Sequence, residues 1–518
     1  MRSPTGAHAI GRDSERTRAI ISATPDACLP TSVTTPSFHI TGMGVGPHDA
    51  NAIFPYKGVW HAMHQANWTD WAHLTSPDLV HWTRTPSALS PNGDWDGTLS
   101  MLDGKPIIFF DCYSVEDCNG SFVPPARRQR QRSVGLPLDP PIVGVARPSD
   151  PDDATLLSWK KDPRNPISLH QTDGTPVTRG FAGPSNLWRT PAGALTFAMQ
   201  LGGSIARFES DEASLHNWTL ADPAFYAHGG HGGHGASGLA FFELPTAGGA
   251  ADAGPYTHWL GNLWADGTSA GTQYVVLGRY GADGTFANVS APQPIESSQV
   301  VVFGTMQCTE GRCIHLAWFN VGGSCLTVPR ELTYAYSAVT GEGRMLALPV
   351  KELETLRNAS LGVRTATTVD ASHPLAAFDT TSTTFDFEAE LSLPVNGSAT
   401  IALLAASPSV AEVLLTINAT TLPGYTTYSV SAEVPFATTA TYNTTLAFNM
   451  SDATLPLRVV ADRTLVEVFL GGGRGVVSTP VLVPGKSPDN GGVFFSAPAA
   501  PFTVASASAW EMGCGWAH

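Results

Sequence analysis

The sequence predicts an all-β fold, a five-bladed β-propeller followed by a C-terminal β-sandwich, and three observations support it. Charged side chains are only 14% of the 518 residues, whereas glycine (51) and proline (40) are abundant, which suits short strands joined by tight turns better than long salt-bridged helices. From about residue 38, short β-type runs such as Val59–Gln65, Pro106–Asp111, Leu195–Leu201, Thr257–Leu263 and Tyr274–Arg279 alternate with clusters of Gly, Pro, Asn and Asp. A self-similar segment also recurs: Ala72–Trp82, Val145–Trp159 and Ala206–Trp218 each run from a strand through a Ser/Asp turn to a tryptophan. Repeats at ~60–75 residue spacing fit propeller blades, each a four-stranded sheet that buries its face only against its neighbours.

In chain order, residues 1–37 lack periodicity and read as an extended or disordered arm. Residues 38–350 are the expected propeller, enough chain for about five blades at that spacing. KELETLR (Lys351–Arg357) is the best short helix and opens a linker, 351–361. From 362 to 512 the chain turns to alternating strands rich in Thr, Ser, Ala and Val, the pattern of a sandwich, in which Leu457–Leu470 followed by Gly471–Gly473 reads as a hairpin. Residues 513–518 remain as a tail.

Twenty-nine basic against 44 acidic side chains give a net charge of −15, which disfavours nucleic acid and anionic lipid as partners, since both need a positive field. No apolar run approaches the roughly 18 residues that span a bilayer as a helix, so no membrane association is expected. Nine N-x-S/T sequons, at Asn67, Asn119, Asn217, Asn288, Asn358, Asn396, Asn418, Asn443 and Asn449, point to N-glycans and the secretory route. A secreted, extracellular or vacuolar location is therefore expected, although residues 1–30 show no hydrophobic signal core. Among seven cysteines, Cys112/Cys118 and Cys308/Cys313 are spaced for local disulfides, with one thiol left over or paired between chains. A monomer or dimer is expected.

Carboxyl groups in apolar strand contexts are the candidates for chemistry, because a lone carboxylate there is costly to bury. Asp49 in GPHDANAIF and Glu243 in GLAFFELP are the two clearest. Cleavage of a glycosidic bond needs such a pair, one group to attack the anomeric carbon and one to protonate the leaving oxygen. His228, His231 and His234 lie in a glycine-rich stretch and read as a mobile loop or lid rather than a metal site. Arg127, Arg128, Arg130 and Arg132 sit among prolines as a solvated insertion. Trp68, Trp71 and Trp95 are candidates to stack on sugar faces, with core packing the equal alternative for Trp71.

Five collinear segments then resemble glycoside hydrolase family 32, the invertases, inulinases and related fructan-active enzymes. HLTSPDLVHW (His73–Trp82) is similar to that family's GHATSxDLVHW, and the segment from Ala88 to Phe110, which holds Trp95 and Asp96, to its xALxP…SGS element. LTVPREL (Leu326–Leu332), LPVKELETLR (Leu348–Arg357) and DRTLVEVFLGGGR (Asp462–Arg474) match SLPREL, NPVxELxxLR and DxSxxEVFxNxGR. The resemblance implies a five-bladed propeller with a sandwich, and a retaining double displacement on β-fructofuranosides with no cofactor and no metal. It places Asp49 as nucleophile where the family has WMNDPNG, with His48 and Asn51 beside it as substrate contacts, and Glu243 as general acid/base by similarity of FELP to WECPD. WHAMHQANW (Trp60–Trp68) resembles YHLFYQYNP, which adds Gln65 and Trp68 to the expected sugar contacts, together with His61 on the inward face.

One departure is plain in the sequence. The family's RDP motif, whose aspartate holds two fructosyl hydroxyls, corresponds to GFAGPSNLW (Gly180–Trp188), with Ala182 and Gly183 in place of Arg and Asp. Arg179 is the candidate cation there and Asp162 a candidate substitute carboxylate. The readings left open are a hydrolase of sucrose- or fructan-type substrates, a fructosyltransferase using the same intermediate, a carbohydrate-binding member that has lost the chemistry, and a related propeller acting on arabinose-containing glycans.

Overall fold

The computed structural model describes residues 35–41, 47–66, 70–90, 94–112, 114–120, 142–178, 183–210, 215–227, 236–245, 254–264, 273–296, 301–319, 325–435, 444–481 and 491–516. Within them, the chain ahead of Lys351 forms five sheets in sequence order. The first holds β1 (His48–Tyr56), β2 (Val59–Ala66), β3 (Asp70–Ser76) and β4 (Thr83–Leu89); the second β5 (Asp94–Leu102), β6 (Lys105–Cys112), β7 (Val143–Pro148) and β8 (Trp159–Lys161). The third is built from β9 (Ser168–His170), β10 (Trp188–Arg189), β11 (Leu195–Leu201), β12 (Ser204–Ser210) and β13 (Asn217–Ala227). The fourth contains β14 (Ala236–Glu243), β15 (His258–Trp264), β16 (Gln273–Tyr280), β17 (Phe286–Ala287) and β18 (Gln293–Pro294). The fifth has β19 (Val301–Thr309), β20 (Arg312–Phe319), β21 (Cys325–Leu326), β22 (Arg330–Ser337) and β23 (Glu342–Pro349).

The repeated Trp segments fall where a blade repeat puts them, between the third and fourth strands: β3 to β4, β7 to β8 and β12 to β13. In the first, Asp78 accepts from the backbone N–H groups of Val80 and His81, closing the turn. Trp82 and Trp218 end these turns fully buried. Apolar faces then pack sheet on sheet; Phe109 of β6, for example, lies against Phe197 and Trp218 of the third sheet at ring-centroid distances of 5.9 and 6.0 Å. The first and fifth sheets meet through β1, β19 and β20, which closes the ring.

After a 3-10 turn over Lys351–Leu356, where the sequence suggests a short helix, Arg357–Val369 begins the sandwich a few residues ahead of the expected boundary. The sandwich is two six-stranded sheets with a common apolar core of Phe, Leu, Ile and Val side chains. Leu455–Asp462 and Leu465–Leu470 pair antiparallel as the expected hairpin. The two local disulfides form, and Cys325 is the free thiol among the described residues.

Both presumed loose ends are fastened where they are described. Asp462 accepts hydrogen bonds from the backbone N–H groups of Ser37, Phe38 and His39 at 2.7, 3.0 and 3.1 Å. Ile40 then accepts from Leu326 N, and Thr41 bridges to Cys325, so the leading segment runs along the fifth sheet before the chain enters the first. The terminal segment packs as well: Gly513 N donates to Leu356 O, and Trp82 N donates to Gly515 O.

The same junction holds a buried ionic cluster. His39 bridges Asp462 (Nδ1, 2.8 Å) and Glu467 (Nε2, 2.9 Å). Arg330 donates to Glu467 through Nε and Nη2, to Glu296 through Nη1 and to Ser478 through Nη2. Burial alone would push the His39 imidazole down, but the hydrogen bonds and charges of Asp462 and Glu467 outweigh it and raise its pKa to about 9. Burial likewise opposes ionisation of Glu467, yet Arg330 and His39 hold it at about 2.

Two predictions follow from this geometry. Arg330→Ala leaves buried carboxylates unpaired and is expected to cost about 3–5 kcal/mol in equilibrium unfolding. His39 is raised in the folded state, so its contribution is complete below pH 6.5 and is lost as pH rises through about 9. The difference in unfolding free energy between wild type and His39→Gln should therefore shrink across that interval; a pH-independent difference would contradict the pairing.

Candidate active site

The innermost strands of four sheets, β1, β5, β14 and β19, converge about the propeller axis. In the third sheet, residues 183–187 run on that inner side ahead of β10. Ser185 N donates to Ala198 O of β11, and Asn186 N to Leu239 O of β14. Thr98 of β5 donates to Pro184 O, while Leu187 N donates to Ser100 Oγ. These bonds hold Gly183 against the second sheet.

Three aspartates gather at the end of the axis where the inner strands begin. Asp49 is the second residue of β1, and Asp96 lies in an irregularity of β5 between the paired residues Asp94 and Gly97. Asp111, near the end of β6, is opposite that irregularity, because Gly97 pairs with Phe110 and Asp94 with Cys112. Gly97 permits the approach: a Cβ there would lie 2.1 Å from the Phe109 carbonyl oxygen. All three are buried, at 5%, 9% and 2% exposure respectively.

Burial and the neighbouring Asp96, which also hydrogen-bonds to it, push the Asp49 carboxyl well above the usual carboxylate range. Asp111 is pushed up by burial and by the charge of Asp96, against a hydrogen bond from the Gly183 backbone. Two like charges in contact disfavour ionising both, so such a pair retains a proton where isolated carboxyls would not. His48 is paired in register with Gln65, and its ring stands edge-on to Trp318 at 4.8 Å. Burial pushes the His48 imidazole down, which favours its neutral form. Asn51 is buried two residues beyond Asp49, and its Nδ2 has no hydrogen-bond partner among the described residues. Thus the structure places Asp49, Asp96, Asp111 and Gly183 together, with His48 and Asn51 adjacent to Asp49 along β1 and Gln65 opposite His48 on β2.

It does not bring Glu243 to them. A Cβ on Gly238 would lie 3.4 Å from Gly97 O, beside Asp96, whereas Glu243 is five residues further along the same strand, about 16 Å at strand rise. There it is exposed and lines a separate cavity of about 420 Å³ with Arg189, His258, Glu310 and the Cys308–Cys313 disulfide. The expectation that Glu243 is the acid/base partner of Asp49 is corrected by the direction of β14: the FELP segment is the far end of the inner strand.

Other expected residues separate clearly. Asp162 binds Arg147, Arg164 and His216 away from the aspartate cluster, and the Arg164 hydrogen bond holds its carboxyl below the usual range, so it is no substitute for the missing motif aspartate. Trp71 is fully buried core. His61 hydrogen-bonds His73 at 2.9 Å and stacks on Phe54, and burial pushes its pKa down to about 4. Trp68, Arg179, Ala182, the three loop histidines, the Arg127–Arg132 insertion and the Trp95 side chain lie outside the described residues. Asp111 is the residue that sequence reasoning passed over, although it ends the apolar run PIIFF just as Asp49 interrupts another.

The site is thus a group of buried carboxyls at one mouth of a propeller axis, in a chain whose second domain is a β-sandwich. Residues 47–351 match the glycosyl hydrolases family 32 N-terminal domain and residues 352–511 the glycosyl hydrolases family 32 C terminal; the chain belongs to this family. It is 25% identical over 497 residues to a levanase of Bacillus subtilis, covering 87% of this chain and 67% of the levanase. An insoluble isoenzyme of β-fructofuranosidase from Arabidopsis thaliana is 29% identical over 155 residues, but the match covers only 27% of this chain and 23% of that protein. Among solved structures, fructan 1-exohydrolase IIa from Cichorium intybus superposes with a TM-score of 0.74 at 15% identity, covering 93% of this chain and 98% of that one. That likeness shows the shared fold.

The crowded carboxyls carry a stability cost with a definite sign. Asp49 is raised in the folded state, so its proton-linked stability is present below the unfolded pKa of 3.8 and is lost as pH rises. Asp49→Asn is therefore expected to match wild type near pH 3.5 and to exceed it by about 0.5–2 kcal/mol at pH 7 to 8 in urea unfolding.

Proposed function

We propose that the chain hydrolyses β-fructofuranosides at the aspartate-lined mouth of the propeller. The observation that supports this most directly is the buried, hydrogen-bonded Asp49–Asp96 pair at the start of the inner strands of a family 32 fold. Burial and mutual contact favour keeping a proton on this pair, and with that proton on Asp96 it offers the ionised nucleophile and protonated acid that glycoside cleavage requires. Asp49 attacks the anomeric C2 of the fructosyl unit as the C2–O bond to the leaving group breaks, and Asp96 delivers its proton to the departing oxygen. Water then gives a proton to the Asp96 carboxylate and its oxygen to C2, which releases fructose and frees Asp49. Asn51, two residues beyond Asp49, and Gln65, opposite His48 on β2, are the sugar contacts in this reading, with neutral His48 beside them.

The relatives named levanase and β-fructofuranosidase support the substrate class, and fructose-terminated oligosaccharides or sucrose are the substrates proposed. Secretion as a glycoprotein is part of the same reading. The sequon asparagines at 217, 288, 358, 396 and 418 are exposed, those at 119 and 449 are half-buried, and the remaining two are outside the described residues.

A second reading has its own observation. Direct contact between Asp49 and Asp96 is closer than the roughly 5–5.5 Å that separates the carboxyls of retaining enzymes, which favours a fructan-binding protein without turnover. Incubation with sucrose, inulin and levan, with products resolved by chromatography, separates the two. Fructose release that falls by at least about 10³-fold in both Asp49→Asn and Asp96→Asn, and is unchanged in Glu243→Gln, is the expected result. Binding of inulin by the intact wild type with no fructose release would establish the second reading.

A further inference from the structure

We propose that Asp111 is a substrate-positioning residue that holds the two adjacent ring hydroxyls of the fructosyl unit, taking over from a neighbouring strand the task left vacant by Gly183. The inference rests on the fructoside reading above, and three structural facts carry it. Asp111 faces Asp96 across the β5–β6 pairing, so it belongs to the same buried cluster as Asp49. Its carboxylate accepts a hydrogen bond from the Gly183 backbone N–H, which places it beside the very residue where the motif aspartate is absent. Its Oδ1 is buried with no hydrogen-bond partner among the described residues.

A carboxylate oxygen that is buried and unpartnered is costly, and a fold that served stability alone would replace it with an apolar or amide group. A carboxylate oxygen accepts through two lone pairs, so Oδ1 is chemically suited to two hydroxyl donors. In a fructofuranosyl ring the secondary ring hydroxyls are at C3 and C4, adjacent to one another, and they are the donors such an acceptor would take. The backbone at Gly183 explains why the carboxylate comes from elsewhere. Its φ is 110°, a conformation glycine adopts freely and a residue with a Cβ does not. An aspartate at 183 would be strained, whereas Asp111 reaches the same place from β6 with an ordinary strand backbone.

The test is a binding cycle on the full chain, read by calorimetry at pH 7. The ligand is methyl 2-thio-β-fructofuranoside, whose sulfur linkage resists cleavage, with its 3-deoxy and 4-deoxy analogues. Wild type is expected to bind the parent ligand about 10–100-fold more tightly than either analogue. Asp111→Asn and Asp111→Ser are expected to bind all three equally and weakly. A merely structural Asp111 would lower the unfolding temperature on replacement and leave the deoxy penalties intact; a binding carboxylate crowded against Asp96 gives variants at least as stable as wild type.

Retention of the deoxy penalties in both Asp111 variants overturns the inference, as does full-strength binding of the parent ligand by either. Because the cycle measures binding rather than turnover, an absence of fructose release from sucrose or inulin leaves it intact. A wild type that fails to bind the parent ligand overturns this inference together with the fructoside reading.

Discussion

The buried cluster of His39, Asp462, Glu467, Arg330 and Glu296 is the constraint on which the remaining architecture depends. A propeller must close its ring, and this one does so through β1, β19 and β20, with the leading segment laid along the fifth sheet. That segment is fixed by Asp462 of the sandwich, and Arg330 of the fifth sheet is fixed by Glu467 of the same hairpin. One hairpin therefore joins the leading segment, the fifth sheet and the second domain. The arrangement has no slack, since removing any one member leaves a buried charge facing its former partner.

The same physics is used with opposite sign at the mouth of the axis. In the junction each carboxylate has a cation, and Glu467 is held at about 2. Around Asp49 the carboxyls have one another, and burial pushes Asp49 and Asp111 upward. The second sheet that carries Asp96 and Asp111 packs its Phe109 against Phe197 of the third sheet, and the glycine at 97 lets β5 approach β6 closely. The site gives up a little stability to hold buried carboxyl groups against one another, which raises their proton affinity.

Much of this was legible from residue patterns. The Trp-terminated turns mark the third-to-fourth strand connections because each must carry the chain around a sheet edge, and two of the three bury their indole fully on arrival. Asp49 stands out as a carboxyl inside an apolar strand, and its position among buried neighbours explains why that pattern is informative. The motif DRTLVEVFLGGGR was readable as a sandwich hairpin, but its two acids face the domain junction, and no spacing rule shows which partner a strand residue will meet across a long sequence separation. Glu243 fails for a related reason. A carboxyl in an apolar strand marks burial or function only if it lies at the right end of the strand, and Glu243 is five residues of β14 beyond Gly238, which lies beside Asp96.

Local chemistry thus determined the β class, the blade-like repeat, the sandwich hairpin, the two short disulfides and the candidacy of Asp49, all of which depend on residues within a few positions of one another. Tertiary structure decided which carboxyls meet. Asp49, Asp96 and Asp111 come from three strands of two sheets, and their contact depends on an irregularity in β5 and on the backbone direction at Gly183. Those are properties of packed strands, set by the closure of the ring, and no one-dimensional pattern encodes them.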